Sequence, residues 1–141
     1  MPPDTTVQNS ELDIRVYYED TDAGGVVFYA NYLKFFERGR TEWLRRLGVN
    51  QIELAETAQR IFVVKNVEIQ YRKPARLDDL LTIRSDITRL GRASIHFRQA
   101  AVRAGELLCE SDIQICCVDT DSFRPAPLTD ELRTILEKAK K

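Results

Sequence analysis

The sequence holds 141 residues, 43% of them hydrophobic, and its 21 lysines and arginines against 22 aspartates and glutamates leave a formal net charge of -1. That length suits one domain over residues 1–141, and the charge balance excludes a basic coat for nucleic acid and a polybasic membrane anchor. No apolar run reaches the roughly 20 residues of a membrane span, and the polar start Met1–Ser10, expected to be flexible, lacks the basic and apolar regions of a secretory leader, which points to the cytoplasm.

In Leu12–Glu19, Ile14, Val16 and Tyr18 alternate with Asp13, Arg15 and Tyr17, the period of a strand. The run ends in Asp20-Thr21-Asp22-Ala23-Gly24-Gly25, which is turn chemistry. From Asn31 to Leu47, residues Leu33, Phe36, Trp43, Leu44 and Leu47 recur at helical spacing. Tyr32 and Phe35 widen that apolar surface, so this helix is expected to be wrapped by other elements rather than laid on a surface. Gly39 in its middle costs about 1 kcal/mol against alanine and predicts the close approach of another backbone. Gly48 predicts the helix stop. Asn50 with Glu53 reads as a capping box for a short helix ending near Ala58.

Four more strands follow. Val67–Arg72, Leu81–Ile87, Ala93–Arg98 and Leu107–Cys117 alternate, with turns at Pro74 and Asp78-Asp79, at Leu90-Gly91 and at Ala104-Gly105. The connections are too short for crossover helices, so the pairing is antiparallel. Asp119–Pro127 predicts a loop, and Thr129 caps a last helix within residues 128–141. The order predicts an α+β domain, an antiparallel sheet of about five strands wrapped around one long central helix.

The chemistry concentrates in Arg15–Tyr32, where two carboxylates sit in a tight turn ahead of a helix. Unpaired N–H groups at a helix start polarise a carbonyl, and a carboxylate attacks it or activates water, the two parts that thioester cleavage needs. The plain alternative is an Asp-rich turn bonded to its own backbone. Asp20, Asp22 and Gly25 also match positions one, three and six of a calcium loop, but position twelve is Asn31, where that loop needs a carboxylate. Cys109, Cys116 and Cys117 lack the spacing of a zinc site and read as reduced side chains in small apolar spaces. The single histidine, His96, falls on the polar parity of its strand and is expected to be exposed.

Arg15-Val16, Thr21-Asp22 and Gly25-Val26-Val27 stand at the spacing of the 4-hydroxybenzoyl-CoA thioesterase signature. The likeness continues through Phe28-Tyr29-Ala30-Asn31-Tyr32, Phe35-Phe36-Glu37-Arg38, Phe62-Val63-Val64, Tyr71–Asp79 and Cys117-Val118-Asp119, nearly the whole chain. The sequence therefore resembles that family, which has the hotdog fold, and within it the YbgC-type branch of bacterial acyl-CoA thioesterases associated with the Tol-Pal system. The resemblance implies Asp22 as the catalytic carboxylate, as nucleophile or as general base. It implies a backbone N–H near Tyr29 on the thioester oxygen, with Tyr29, Asn31, Gly25 and Val27 lining the substrate. It implies a homodimer or homotetramer, a fit the apolar helix and Gly39 share, and no cofactor beyond CoA as part of the substrate. Many YbgC-type members carry His at the position of Tyr29, and a tyrosine, with a pKa of about 10, is no base near neutral pH.

Arg72, Lys73, Arg76 and Arg92 are candidates for the CoA phosphates. Asp20 reads as a turn-former, Asn31 as orienting the helix start, and Glu37 as an ion-pair partner of Arg40 or Arg38. Two rivals use the same fold: a non-catalytic module that binds acyl chains or acyl carrier protein, and a dehydratase, which pairs a His with an acid.

Overall fold

The computed structural model of the chain describes residues 10–140. The segment Met1–Asn9, nearly all of the start expected to be flexible, lies outside the described residues.

Five strands form one antiparallel sheet: β1 (Leu12–Arg15), β2 (Arg60–Tyr71), β3 (Leu80–Leu90), β4 (Ser94–Arg103) and β5 (Glu106–Asp119). Their order across the sheet is β1-β3-β4-β5-β2. Among the described residues three α-helices join the sheet: α1 (Asn31–Arg46), α2 (Gln51–Ala58) and α3 (Asp130–Ala139). The long helix α1 packs on the inner face of the sheet, against β1, β3 and β4. This is the hotdog arrangement that the family resemblance implies.

The inner face of the sheet is apolar because alternate residues of each strand turn toward the helix. Leu81, Ile83, Ile95, Phe97, Ile113 and Ile115 meet Phe35, Phe36, Trp43 and Leu44 there, all nearly inaccessible. Burying such a side chain is worth roughly 1.5–3 kcal/mol. Trp43 adds an edge-on contact to Phe97 at 6.2 Å. Cys109 and Cys117 fill the inner face and Cys116 is half-buried on the other side; all three are free thiols.

Four expectations need correction. The first strand stops at Arg15 rather than Glu19. Val16 still exchanges hydrogen bonds with Asp79 and Asp78, but the Tyr17 N–H turns to the Asp20 carboxylate at 2.8 Å, and the chain closes a 3-10 turn at Tyr18–Asp20. β2 begins seven residues earlier than Val67, because a bulge between Val64 and Asn66 shifts its register. Val64 and Val67, three residues apart, thus face the same side, and the alternation breaks where the strand does not. A second bulge, at Leu108, separates Leu107 from the face of Cys109 and leaves Leu108 fully buried.

The fourth concerns α1, which the sheet wraps as expected but on which Leu33 stays outside the contact. It buries Tyr32, Phe35, Phe36, Gly39, Arg40, Trp43 and Leu44, while Leu33, Glu37 and Arg38 are exposed. Gly39 does mark a close approach, but of side chains: a Cβ there would lie 2.7 Å from Ile83 Cγ2. That places Gly39 against its own sheet and removes it from any contact between copies. The stop after α1 is as expected, and of the capping box before α2 the Asn50 half forms. Gly48 takes φ +97° after α1, and Asn50 caps α2 through the Glu53 N–H at 3.0 Å.

Candidate active site

The loop from Val16 to Ala30 is held against the segment after β2. The Val27 N–H donates to Ala75 O at 2.8 Å, and Val26 bridges Arg76. Within the loop, the Asp22 N–H donates to Val26 O at 2.9 Å and the Gly25 N–H returns to Asp22 O at 3.1 Å. Gly25 sits at φ +80°, a conformation that favours glycine.

Asp22 is exposed. Its Oδ1 accepts the Gly24 N–H at 2.8 Å and the Val26 N–H at 3.4 Å, so the carboxylate is aimed by its own turn. Its second oxygen has no partner among the described residues. Asp20 is built differently. It is buried, its carboxylate accepts the Tyr17 N–H, and its carbonyl accepts Phe28 N–H at 2.9 Å and the Asn31 amide at 2.8 Å. Asp20 is thus a turn-former, and the buried Asn31 ties the loop to the helix start.

The start of α1 has no side-chain cap, because Ala30 stands where Ser, Thr, Asp or Asn would accept an N–H. The Asn31, Tyr32 and Leu33 N–H groups bond back to Phe28, Tyr29 and Ala30 carbonyls. The N–H groups of Tyr29 and Ala30 have no acceptor among the described residues. One loop therefore presents a free carboxylate oxygen and two free donors at a helix N-terminus.

Beside it, Val27, Tyr29, Tyr32, Tyr71, Arg72, Lys73 and Pro74 line an open cleft of about 260 Å³. Val27 is buried at its base, whereas Tyr29 is 62% exposed. The Tyr71 hydroxyl donates to Tyr29 O at 3.1 Å, and the Tyr71 ring meets those of Tyr29 and Tyr32 edge-on at 6.1 and 5.6 Å. The Tyr32 hydroxyl accepts the Ala75 N–H at 3.1 Å. Burial pushes the phenols of Tyr32 and Tyr71 above their ordinary range, so both stay protonated. Burial also pushes the nearby Cys109 thiol up to about 12, which leaves it inert as a nucleophile.

The candidate phosphate ligands divide. Arg72 and Lys73 stand on the rim of the cleft, paired with Glu110 and Glu106 yet about half exposed. Arg76 is exposed beside Val26. Arg92 is not brought to this site within the chain. It precedes Ser94, which faces Cys116, whereas Tyr71 faces Cys109. The stretch of β5 between those two cysteines spans about 23 Å at roughly 3.3 Å per residue. Two smaller expectations also change. Glu37 accepts the Thr41 hydroxyl at 2.6 Å instead of pairing with Arg38 or Arg40. His96 is half-buried rather than exposed, 3.5 Å from Ser94 Oγ, with its pKa lowered by burial and by Arg89.

The sequence reading missed Tyr71 and the Ala30 N–H. Tyr71 entered only as the end of an alternating run and the start of the Tyr71–Asp79 likeness, and nothing local links it to a carbonyl 42 residues away.

The family model for the thioesterase superfamily matches residues 24–110, starting two residues after Asp22. Over 127 residues the chain is 42% identical to the acyl-CoA thioesterase YbgC of Haemophilus influenzae, covering 90% of the chain and 93% of that protein. It is 46% identical over 117 residues to the acyl-CoA thioester hydrolase YbgC of Escherichia coli O157:H7, covering 82% and 86%. Among solved structures it is similar to a probable thioesterase from Bartonella henselae, with a TM-score of 0.81 and 38% identity over 84% of this chain and 98% of that one. A 1,4-dihydroxy-2-naphthoyl-CoA thioesterase from Synechocystis shares the fold, with a TM-score of 0.82 at 20% identity over 89% of this chain and 93% of that one.

Proposed function

The chain belongs to the thioesterase superfamily, and from that premise we propose that it hydrolyses acyl-CoA thioesters to free acid and CoA through Asp22. The observation that carries this reading is the pairing of the free Asp22 oxygen with the unpaired Tyr29 and Ala30 N–H groups on one loop. The thioester carbonyl oxygen is held by those donors, which strengthen their grip as negative charge develops. Asp22 then either attacks the carbonyl carbon, forming a mixed anhydride that water cleaves, or takes a proton from the attacking water. CoA thiolate leaves in both routes. Tyr29 supplies its backbone N–H.

Gly25 sets the turn, Asn31 orients it, and Val27 with Tyr29 contacts the bound acyl-thioester. Arg72 and Lys73 at the cleft rim take the CoA phosphates as charged partners. Arg92 reaches the same CoA only from another copy of the chain.

The enzyme works in this reading as a homo-oligomer. β2 is an edge strand of 12 residues, and its inner-facing Val64 and Tyr71 are 52% and 46% exposed. Among the described residues no strand covers that edge, and a long edge with apolar side chains is a ready template for a second copy. Cytoplasmic residence, a setting with the Tol-Pal system and use of acyl carrier protein as a second thioester donor belong to the same proposal, on the strength of the YbgC-type resemblance and of relatives that carry that name.

The test is release of free CoA thiol from a panel of aliphatic and aromatic acyl-CoAs, run beside binding of the same compounds. Turnover of some member supports the reading and ranks the acyl groups. Binding without thiol release from any of them overturns it in favour of a non-catalytic acyl-binding module.

A further inference from the structure

We propose that Tyr71 is a positioning residue for thioester hydrolysis: its hydroxyl fixes and polarises the peptide between Tyr29 and Ala30, so that the Ala30 N–H acts as a second donor to the thioester oxygen beside the Tyr29 N–H. The inference rests on the hydrolytic reading given above and names a part of that site which no local sequence pattern assigns.

The geometry begins with one peptide group. The Tyr29 carbonyl and the Ala30 N–H belong to the same amide, so a hydrogen bond accepted by the carbonyl makes the N–H a better donor. That carbonyl accepts two bonds. The Tyr32 N–H reaches it at 3.3 Å, beyond the usual N–H···O range, and the Tyr71 hydroxyl at 3.1 Å. The Ala30 N–H on the other side of the amide has no acceptor among the described residues. The polarised donor is therefore also a vacant one.

Tyr71 is held from outside the loop it acts on. It closes β2 opposite Cys109, so its backbone is set by the sheet. Its ring packs edge-on against Tyr32, which is 2% exposed and fixed through the Ala75 N–H. Burial keeps the phenol protonated, as a donor must be.

The loop does not depend on the hydroxyl for its fold. Val27 bonds to Ala75, and Phe28 and Asn31 both bond to Asp20, without it. Loss of the hydroxyl alone thus separates chemistry from folding. In a transition state that carries negative charge on the thioester oxygen, a weaker Ala30 donor lowers kcat more than it changes KM.

The experiment compares Tyr71→Phe with the wild type, using an acyl-CoA that the wild type hydrolyses. The account expects kcat to fall about tenfold, with KM within about twofold and an unchanged melting temperature. A second measurement reads the carbonyl directly. A ¹³C=O-labelled acyl-CoA bound to Asp22→Asn is followed by difference infrared, and adding Tyr71→Phe must return the stretch toward its solution frequency. An unchanged kcat with an unchanged carbonyl stretch overturns the proposal while leaving the hydrolytic reading intact. So does a fall in kcat that comes with a lower melting temperature and no change in the stretch, which marks Tyr71 as structural only. A wild type that releases no thiol from any acyl-CoA defeats the hydrolytic reading, and this inference with it.

Discussion

The carbonyl of Asp20 accepts the side-chain amide of Asn31 at 2.8 Å, eleven positions along the chain. This bond is buried and joins the turn that aims Asp22 to the start of α1, just after the free N–H groups. Asn31→Ala removes the donor but leaves the Phe28 N–H on the same carbonyl. Loss of one such bond is worth about 1–2 kcal/mol. Thermal unfolding of this variant is expected to show a drop of that size, together with a lower kcat because carboxylate and donors lose their common frame. A variant with normal stability and normal kcat would show that the bond positions nothing.

Gly39 sets a second expectation. Alanine raises helix propensity by about 1 kcal/mol, yet its Cβ would meet Ile83 Cγ2 at 2.7 Å, with Gln99 Nε2 at 3.3 Å. Overpacking of this kind costs about 1–3 kcal/mol. Gly39→Ala is therefore expected to lower the melting temperature, and adding Ile83→Val, which deletes a methyl group, is expected to recover part of the loss. Denaturant unfolding of the two single variants and the double variant measures the coupling.

The uncovered edge of β2 gives a third. Val64 is 52% exposed on the inner face of that strand. A lysine there leaves the core untouched and places a charge on the surface proposed to meet a second copy. Val64→Lys is expected to shift sedimentation toward a smaller species and to lower activity with it. Unchanged sedimentation would remove β2 as the contact.

Acid stability follows from Asp79. Burial alone would raise its pKa, but the Arg103 guanidinium at 2.8 Å and the Arg76 N–H outweigh it, and the net shift is downward. A carboxylate with a depressed folded-state pKa contributes stability that is present above its unfolded value, about 4, and lost as the pH falls below it. Asp79→Asn is thus expected to flatten the fall of stability below about pH 4 and to lower stability at neutral pH. Chemical unfolding at several pH values checks both.

Much of this molecule was legible in the alternation of its residues. α1 and the inner rows of β3 and β4 stand where hydrophobic periodicity puts them, α2 stands where Asn50 caps it, and Asp22 with Gly25 announces a tight turn before a helix. The failures have specific causes. The bulge beside Val64 reverses the phase of β2, and before it Ile61, Phe62, Val63 and Val64 run apolar on both faces, so no period of two shows there. The apolar girth of α1 includes Leu33, which is 43% exposed, because periodicity does not say how many faces have partners. Within the site, Tyr71 and Arg92 show the same limit from opposite sides. The register of β2 on β5 brings Tyr71 to Tyr29, while the register of β4 on β5 carries Arg92 away.

The account stands on the Asp22 carboxylate, and its most direct test is the kcat of Asp22→Asn. The amide keeps an oxygen to accept the Gly24 N–H, so the turn should survive, and binding of acyl-CoA and thermal stability serve as controls. A fall in kcat of about 100-fold or more, with binding and melting temperature preserved, is the predicted result. Full turnover by Asp22→Asn would contradict it and move the chemistry to another residue.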